Sequence, residues 1–232
     1  NIKEKGVIGK ITLYAQTEEG YKNLTKLSSL SYLKTQSSSE PACKIKDLIE
    51  NSKDLILLTG NQRDFFGKIF SSNKLNDFEK LIHSLKKYYQ DRIYFEIQRH
   101  NEKDEKNFEN FILNNSKKFN LPLIATQEIF YIDEHMYEAH DALRCIGEKN
   151  FIDDKTRLKL SNQHYFKKDI DLQNIYSDIP EALENNYSFH LRFNFKLKKS
   201  KPILPSLAND KNYSPETQLL NQAKNGLNNR IK

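Results

Sequence analysis

The sequence is poor in the residues that build special chemistry. In 232 residues it has two cysteines, one methionine, no tryptophan, seven glycines and six prolines. Cys43 and Cys145 lie far apart with no CxxC pair, which excludes a disulfide scaffold and a thiolate zinc site. The few glycines form no phosphate-cradling loop, and no GxSxG nucleophile elbow occurs. No apolar run approaches the roughly 18 residues that span a bilayer. The opening NIKEKGVIGKITLY is not a charged-then-apolar leader. These absences predict a soluble, cytoplasmic chain, and a start at Asn rather than Met suggests a piece of a longer polypeptide.

What is present suits one large domain, or one and a half smaller ones. Hydrophobic residues make up 37% and charged residues 29%, enough for a core under a heavily solvated surface. Lysine and arginine number 37 against 31 acidic residues, a net charge of +6. That bias permits contact with nucleic acid without implying a dedicated groove, and an AT-rich genome would produce it equally well.

Apolar periodicity alternates between two and 3.6 residues along the first 150 positions. Strands are predicted at 8–15, 55–59, 93–98 and 121–126, the last apolar on both faces, as a strand covered by helices must be. Helices are predicted at 21–33, 45–51, 78–89 and 108–119, and another after Asp133 with Met136, Leu143 and Ile146 at helical spacing. Residues 61–67 read as a loop. Strand–helix repeats of this kind imply parallel strands joined by helical crossovers, an incomplete α/β barrel with outer helices. Beyond Ile146 the pattern decays into loops and single turns, 171–176 among them, before a helix that starts at Pro180 and runs to Phe193. The basic, proline-flanked stretch KLKKSKPILP marks a junction, and Ser214-Pro215 opens a last helical tail. The domains expected are 1–196, a linker at 197–213, and the start of a further module at 214–232.

Chemistry in such a fold gathers where strands end. His100 and Glu128 both fall just past the carboxyl end of a predicted strand, so an imidazole and a carboxylate there could share one divalent metal. His140 and Asp141 are adjacent on a helix and diverge by about 100°, which makes a packing contact the better reading than joint catalysis. His83, His135, His164 and His190 have no partner at metal spacing and read as ordinary residues. Phe65-Phe66 and Tyr88-Tyr89 lie among charges and could stack on bases, but core filling is the default.

The segment LPLIATQEIFYIDEHMYEAHDALRCIGEK, from Leu121, resembles the last signature segment of the PHP (polymerase and histidinol phosphatase) domain in the α subunits of bacterial DNA polymerase III, the C-family replicative polymerases. EEGYKNLTKLSSLSYL from Glu18, DLILLTG from Asp54, RIYFEIQRH from Arg92, DIPEALENN from Asp178 and the tail ILPSL…SPETQLLNQAKNGLNNRI match that family in order. The resemblance covers nearly the whole chain. It implies a PHP-type, distorted TIM-like barrel whose first strands precede residue 1.

By the same resemblance, His100 matches a metal-binding histidine. Gln127-Glu128-Ile129-Phe130 overlies a segment that reads Asn-Asp-Val-His in metal-binding members, so one ligand is altered to Glu128 and another is lost to Phe130, which has no lone pair. Asn61 stands where such members often show cysteine. The metal site at His100 and Glu128 is therefore read as vestigial, with Zn2+ or Mn2+ disfavoured and Phe130 expected to fill the vacated space.

The resemblance implies a part of the catalytic α subunit, whose template-directed DNA synthesis uses Mg2+ held by aspartates beyond this chain. No DxD occurs in the tail, so no polymerase catalytic residue is expected here. DNA, the proofreading exonuclease subunit and other replicase subunits are the implied partners, with a structural and subunit-binding role for this piece and no membrane contact. The alternative is a free-standing metal-dependent PHP phosphoesterase, histidinol-phosphatase-like, or a PHP 3′–5′ exonuclease.

Overall fold

The computed structural model describes residues 1–35, 40–199, 201–202 and 214–231. The chain divides into two compact units, 1–195 and 196–232. In the second unit the described helix is α9 (Pro215–Ile231), with Ser214 Oγ accepting from the Thr217 amide at 3.3 Å. None of its residues is buried, so Leu219, Leu220 and Leu227 stand exposed. Most of the stretch 197–213 lies outside the described residues, as does Lys232.

The first unit opens with a two-stranded antiparallel hairpin, β1 (Ile2–Glu4) and β2 (Val7–Gly9). Lys5 and Gly6 at its tip both have positive φ, the requirement of a tight two-residue turn that matches strand twist. A four-stranded sheet follows, in the order β3 (Thr12–Ala15), β4 (Leu55–Leu58), β5 (Ile93–Ile97), β6 (Leu123–Ala125). β4, β5 and β6 run parallel, joined by helical crossovers. β3 instead pairs antiparallel with β4, which corrects the expectation of four parallel strands.

The predicted strand 8–15 is also two strands. The chain turns where it meets α3 (Phe65–Ser71): the Phe65 amide donates to the Lys10 carbonyl at 3.1 Å. A Cβ on Gly9 would lie 2.5 Å from the Phe65 Cα, so only glycine permits this approach. α3 itself occupies the end of a stretch expected to be loop.

α1 (Glu18–Leu33) begins under a Thr17 cap, and Thr17 Oγ1 also donates to Asp54 at 2.8 Å. α2 (Ile45–Glu50), α4 (Leu75–Tyr89) and α5 (Glu105–Phe119) complete the layer on the sheet's first face. α4 shows why its sequence folds this way: Phe78, Leu81, Ile82, Leu85 and Tyr89 form one stripe at helical spacing, and all are buried. Phe66, Phe78, Phe95 and Phe111 interlock with ring centroids 4.7–6.2 Å apart. Each such side chain taken out of water contributes roughly 1.5–3 kcal/mol.

The second face, Ile56, Leu58, Tyr94 and Ile124, is covered by Phe189 and Phe193. Before them in the chain comes α7 (Asp169–Ile175), a helix where single turns were expected; Phe189 ends α8 (Pro180–Phe189) and Phe193 lies just beyond it. The helix predicted to continue to Phe193 instead tightens into a 3-10 turn at His190–Arg192. α8 lies along the free edge of β6, where Asn185 and Asn186 donate side-chain amides to the Leu123 and Ala125 carbonyls at 2.8 and 2.7 Å. That edge is therefore closed to a further strand.

The α6 helix (Tyr137–Glu148) reverses the expected orientation. Asp141 and Cys145 are its buried residues, while Met136 before it, and Leu143 and Ile146 within it, are exposed by 39, 66 and 76%. The buried Asp141–Arg157 fork, at 2.6 and 2.7 Å, explains the turn of the helix. A charged pair outweighs apolar spacing when it secures both partners.

Candidate functional site

His100 follows β5 and Glu128 follows β6, and these strands are hydrogen-bonded neighbours, so their ends lie side by side. The Glu128 amide donates to His100 Nε2 at 3.2 Å. That bond takes the ring nitrogen's lone pair and places the ring proton on Nδ1. Burial pushes the His100 imidazole down to about 3, with neighbouring His164, Lys167 and Arg63 adding to the shift, so the ring is neutral. The Glu128 carboxylate turns to Arg63 Nη2 at 2.6 Å. The structure thus brings the two candidates together, but through Glu128's backbone rather than its side chain.

Three further residues complete the cluster. His164, expected to be ordinary, is fully buried and stacks on His100 with centroids 4.2 Å apart and planes 3° from parallel. Its Nδ1 faces the Glu128 carbonyl at 2.9 Å and its Nε2 faces Glu102 Oε1 at 3.0 Å. Glu102 also accepts from the Ser161 amide at 3.0 Å, and Ser161 Oγ donates to the His100 carbonyl. Sequence reading missed His164 because its segment looked irregular. Only a β-type pairing of 131 with 165 carries it into the site, and the short HYF run after Gln163 is the sole signal of that pairing.

The same pairing corrects the expectation for Phe130. The Phe130 amide donates to the His164 carbonyl at 2.9 Å, and side chains alternate along this segment. Tyr131 therefore turns inward at 6% exposure, and Phe130 turns out at 44%. Phe130 stacks on His140 at 5.2 Å, lining an open cleft of about 510 Å³, while the His164 ring takes the place beside His100. Asn61 is used locally: its Oδ1 accepts from the Arg63 amide at 2.8 Å, and its Nδ2 donates to Gln98 at 2.9 Å. Asp141, paired with Arg157, is held away from His140's stacking face, and its carboxyl sits below the usual range because of that guanidinium.

Deeper on β5, Glu96 is buried and receives the Gly60 amide at 3.0 Å, Gln98 Nε2 at 2.9 Å and the Thr126 hydroxyl. Burial raises its carboxyl, against the pull of those donors. Among the described residues no three His, Cys, Asp or Glu side chains are grouped as a metal would require. His100 and Glu128 as arranged spend their lone pair and charge on protein partners, which does not fit a divalent centre.

The mixed α/β sheet with outer helices and a histidine–carboxylate cluster at its strand ends is consistent with a fragment of a PHP-like barrel. Residues 3–100 match the family model of the PHP domain. Over nearly its whole length the chain is related to the alpha subunits of DNA polymerase III. It is 34% identical over 227 residues to that of Rickettsia bellii, covering 97% of this chain and 19% of the relative. It is 31% identical to that of Caulobacter vibrioides over 95% of this chain and 19% of the relative. For Vibrio cholerae the figures are 30%, 85% and 17%. The chain spans about a fifth of the length of these curated relatives.

Proposed function

We propose that this chain is a segment of the catalytic alpha subunit of a bacterial replicative DNA polymerase III, and that the longer polypeptide carries out DNA-templated DNA synthesis. What supports the reading most is similarity to subunits of that name along 95% and 97% of the chain. In this reading residues 1–196 are the PHP domain, 197–213 a linker and 214–232 the start of the next module. Mg2+ and the aspartates that hold it belong to the longer polypeptide. Its partners are DNA, the proofreading exonuclease subunit and other replicase subunits, in the cytoplasm. Among the described residues no helix is long and apolar enough to cross a membrane.

Within the polymerase this piece is structural. His100 and Glu128 are a vestigial metal site in which His164, Arg63 and Glu102 hold the strand ends together by the bonds described above. Bonds internal to the protein replace the ligand set that a metal phosphoesterase needs.

The test uses the longer polypeptide that contains this chain. It should extend a primed template with Mg2+, and its His100→Ala variant should show the same background phosphoester hydrolysis as wild type with Zn2+ or Mn2+. Absence of primer extension would overturn the polymerase reading. Metal-dependent nuclease activity lost on His100→Ala would overturn the vestigial one.

A further inference from the structure

The β1–β2 hairpin carries lysine on and around it with little acid to match. Lys3, Lys5, Lys10 and Lys44 are exposed, and among the described residues none has a carboxylate within ion-pair distance. Two more lysines fasten the hairpin by their ammonium groups: Lys74 donates to the Lys5 carbonyl at 2.7 Å and Lys68 to the Ile8 carbonyl at 3.0 Å. Their charge stays local although their protons are used. The Lys3 amide donates to the Cys43 carbonyl at 2.9 Å, which ties the hairpin to the segment leading into Lys44.

Lys3, Lys5, Lys34 and Lys44 line one cleft of about 520 Å³. Of the carboxylates there, Asp47 is buried against Lys34, leaving Glu4 and Glu40 against Lys3, Lys5 and Lys44; Lys10 and Lys68 line the neighbouring cleft, where Asp64 is the facing acid and Glu128 is held by Arg63.

A fixed array of cations with so little opposing charge attracts a polyanion and gains counterion-release free energy from it. The kind of polyanion follows from what else is present. No aromatic side chain lines this cleft, and Phe65 and Phe66, beneath β2, are wholly buried. Proteins that hold single strands combine such charge with exposed rings on which bases stack. Around Lys3, Lys5 and Lys44 the described surface offers phosphate contacts only, and Phe130, in the neighbouring cleft that Lys10 and Lys68 line, is already stacked on His140.

We propose that the lysine-bearing face of the β1–β2 hairpin, Lys3, Lys5, Lys10 and Lys44 with Lys68 and Lys74 behind them, is a docking surface for the phosphate backbone of duplex DNA, read without sequence preference. The choice of DNA among polyanions rests on the polymerase reading above. The surface itself rests on the charges and the missing rings.

The test is fluorescence anisotropy with a short blunt duplex, using this chain and the longer polypeptide, over a series of salt concentrations. Replacing Lys3, Lys5, Lys10 and Lys44 by Gln should weaken binding about ten-fold or more and lower the slope of log K against log salt by up to about 0.9 for each lysine that meets a phosphate. A control replaces Lys26, Lys53, Lys103 and Lys117 by Gln, with the same loss of net charge, and should bind close to wild type. All eight side chains are exposed, so thermal melts should match wild type; were the first variant unstable, Lys5→Glu alone at the hairpin tip should weaken binding in the same direction.

Equal weakening in both variants, tighter binding of the matching single strand, or no duplex binding would overturn the proposal. So would displacement of the duplex by polyglutamate as readily as by unlabelled duplex. Primer extension that persists while duplex binding ignores the hairpin lysines would sink this surface and leave the polymerase reading standing.

Discussion

Arg99 joins three parts of the first unit, and its removal should be costly in a way the structure apportions. It leaves β5 and forks onto Glu109 of α5 at 2.9 and 2.6 Å and onto Asp178 at 2.6 and 2.8 Å. It also donates to the Ile175 carbonyl and lies 5.1 Å over the Tyr176 ring. Arg99 and Glu109 are 19% and 12% exposed, whereas Asp178 is 60% exposed. Arg99→Ala strands the Glu109 carboxylate in a mostly dry place, at about 2–4 kcal/mol. The solvated Asp178 limb adds no more than about 1 kcal/mol. A total near 3 kcal/mol lowers the melting temperature by about 6–12 °C for a domain of this size.

Urea denaturation of the single and double variants separates the limbs. The Arg99–Glu109 cycle should give a coupling of about 2 kcal/mol and the Arg99–Asp178 cycle less than about 1. Arg99→Lys keeps the charge but loses the planar fork, so it should recover less than half. A cost below about 1 kcal/mol for Arg99→Ala, or equal couplings in the two cycles, would refute the reasoning.

His164→Ala removes the bonds to the Glu128 carbonyl and Glu102 together with the ring stacked on His100, and should cost about 2–3 kcal/mol in chemical denaturation; a neutral result would show that the cluster holds nothing together. Asn185→Ala and Asn186→Ala each orphan a β6 carbonyl and should cost about 1–3 kcal/mol, read as a lower thermal midpoint, with unchanged midpoints counting against a sealed edge. The carboxyl of Asp178 is lowered by Arg99; that of Asp47 is raised by burial but lowered further by Lys34 and the Lys44 amide. A lowered folded value means stability is fully present above the unfolded carboxylate value near pH 4 and lost as pH falls through the folded one. Asp178→Asn should therefore flatten the loss of stability below about pH 4, and an unaltered acid-unfolding profile would contradict the assignment.

How much was legible in the sequence can be seen strand by strand. β4 and β6 announced themselves because a strand buried on both faces is an unbroken apolar run, whereas β5 did so by alternation, Ile93, Phe95 and Ile97 opposed by Tyr94 and Glu96. β3 was found but its direction was not. Direction depends on which edge the chain reaches after the Gly9 turn, and that is a contact with α3 some 55 residues later, invisible to local periodicity. α6 misled for a different reason. Met136, Leu143 and Ile146 have the spacing of a core stripe, but spacing cannot reveal that Arg157 sits beneath Asp141 and turns the helix over.

The site shows the same division. That His100 and Glu128 end neighbouring strands follows from strand order, so a reading of parallel strands brings them together. What each does there does not follow, because it depends on one backbone amide. With Glu128's N–H on His100 Nε2, the imidazole is an acceptor in a hydrogen bond rather than a ligand, and Glu128's charge is left for Arg63. The exposed turn of Phe130 has the same origin: once 131 pairs with 165, alternation alone sends Phe130 to the cleft and Tyr131 to the core. Phe130 thus packs on the His140 and His164 rings, with centroids 5.2 Å from each, rather than on His100. The ring that fills the place beside His100 arrives from residue 164, on a segment whose only sequence mark is three residues long.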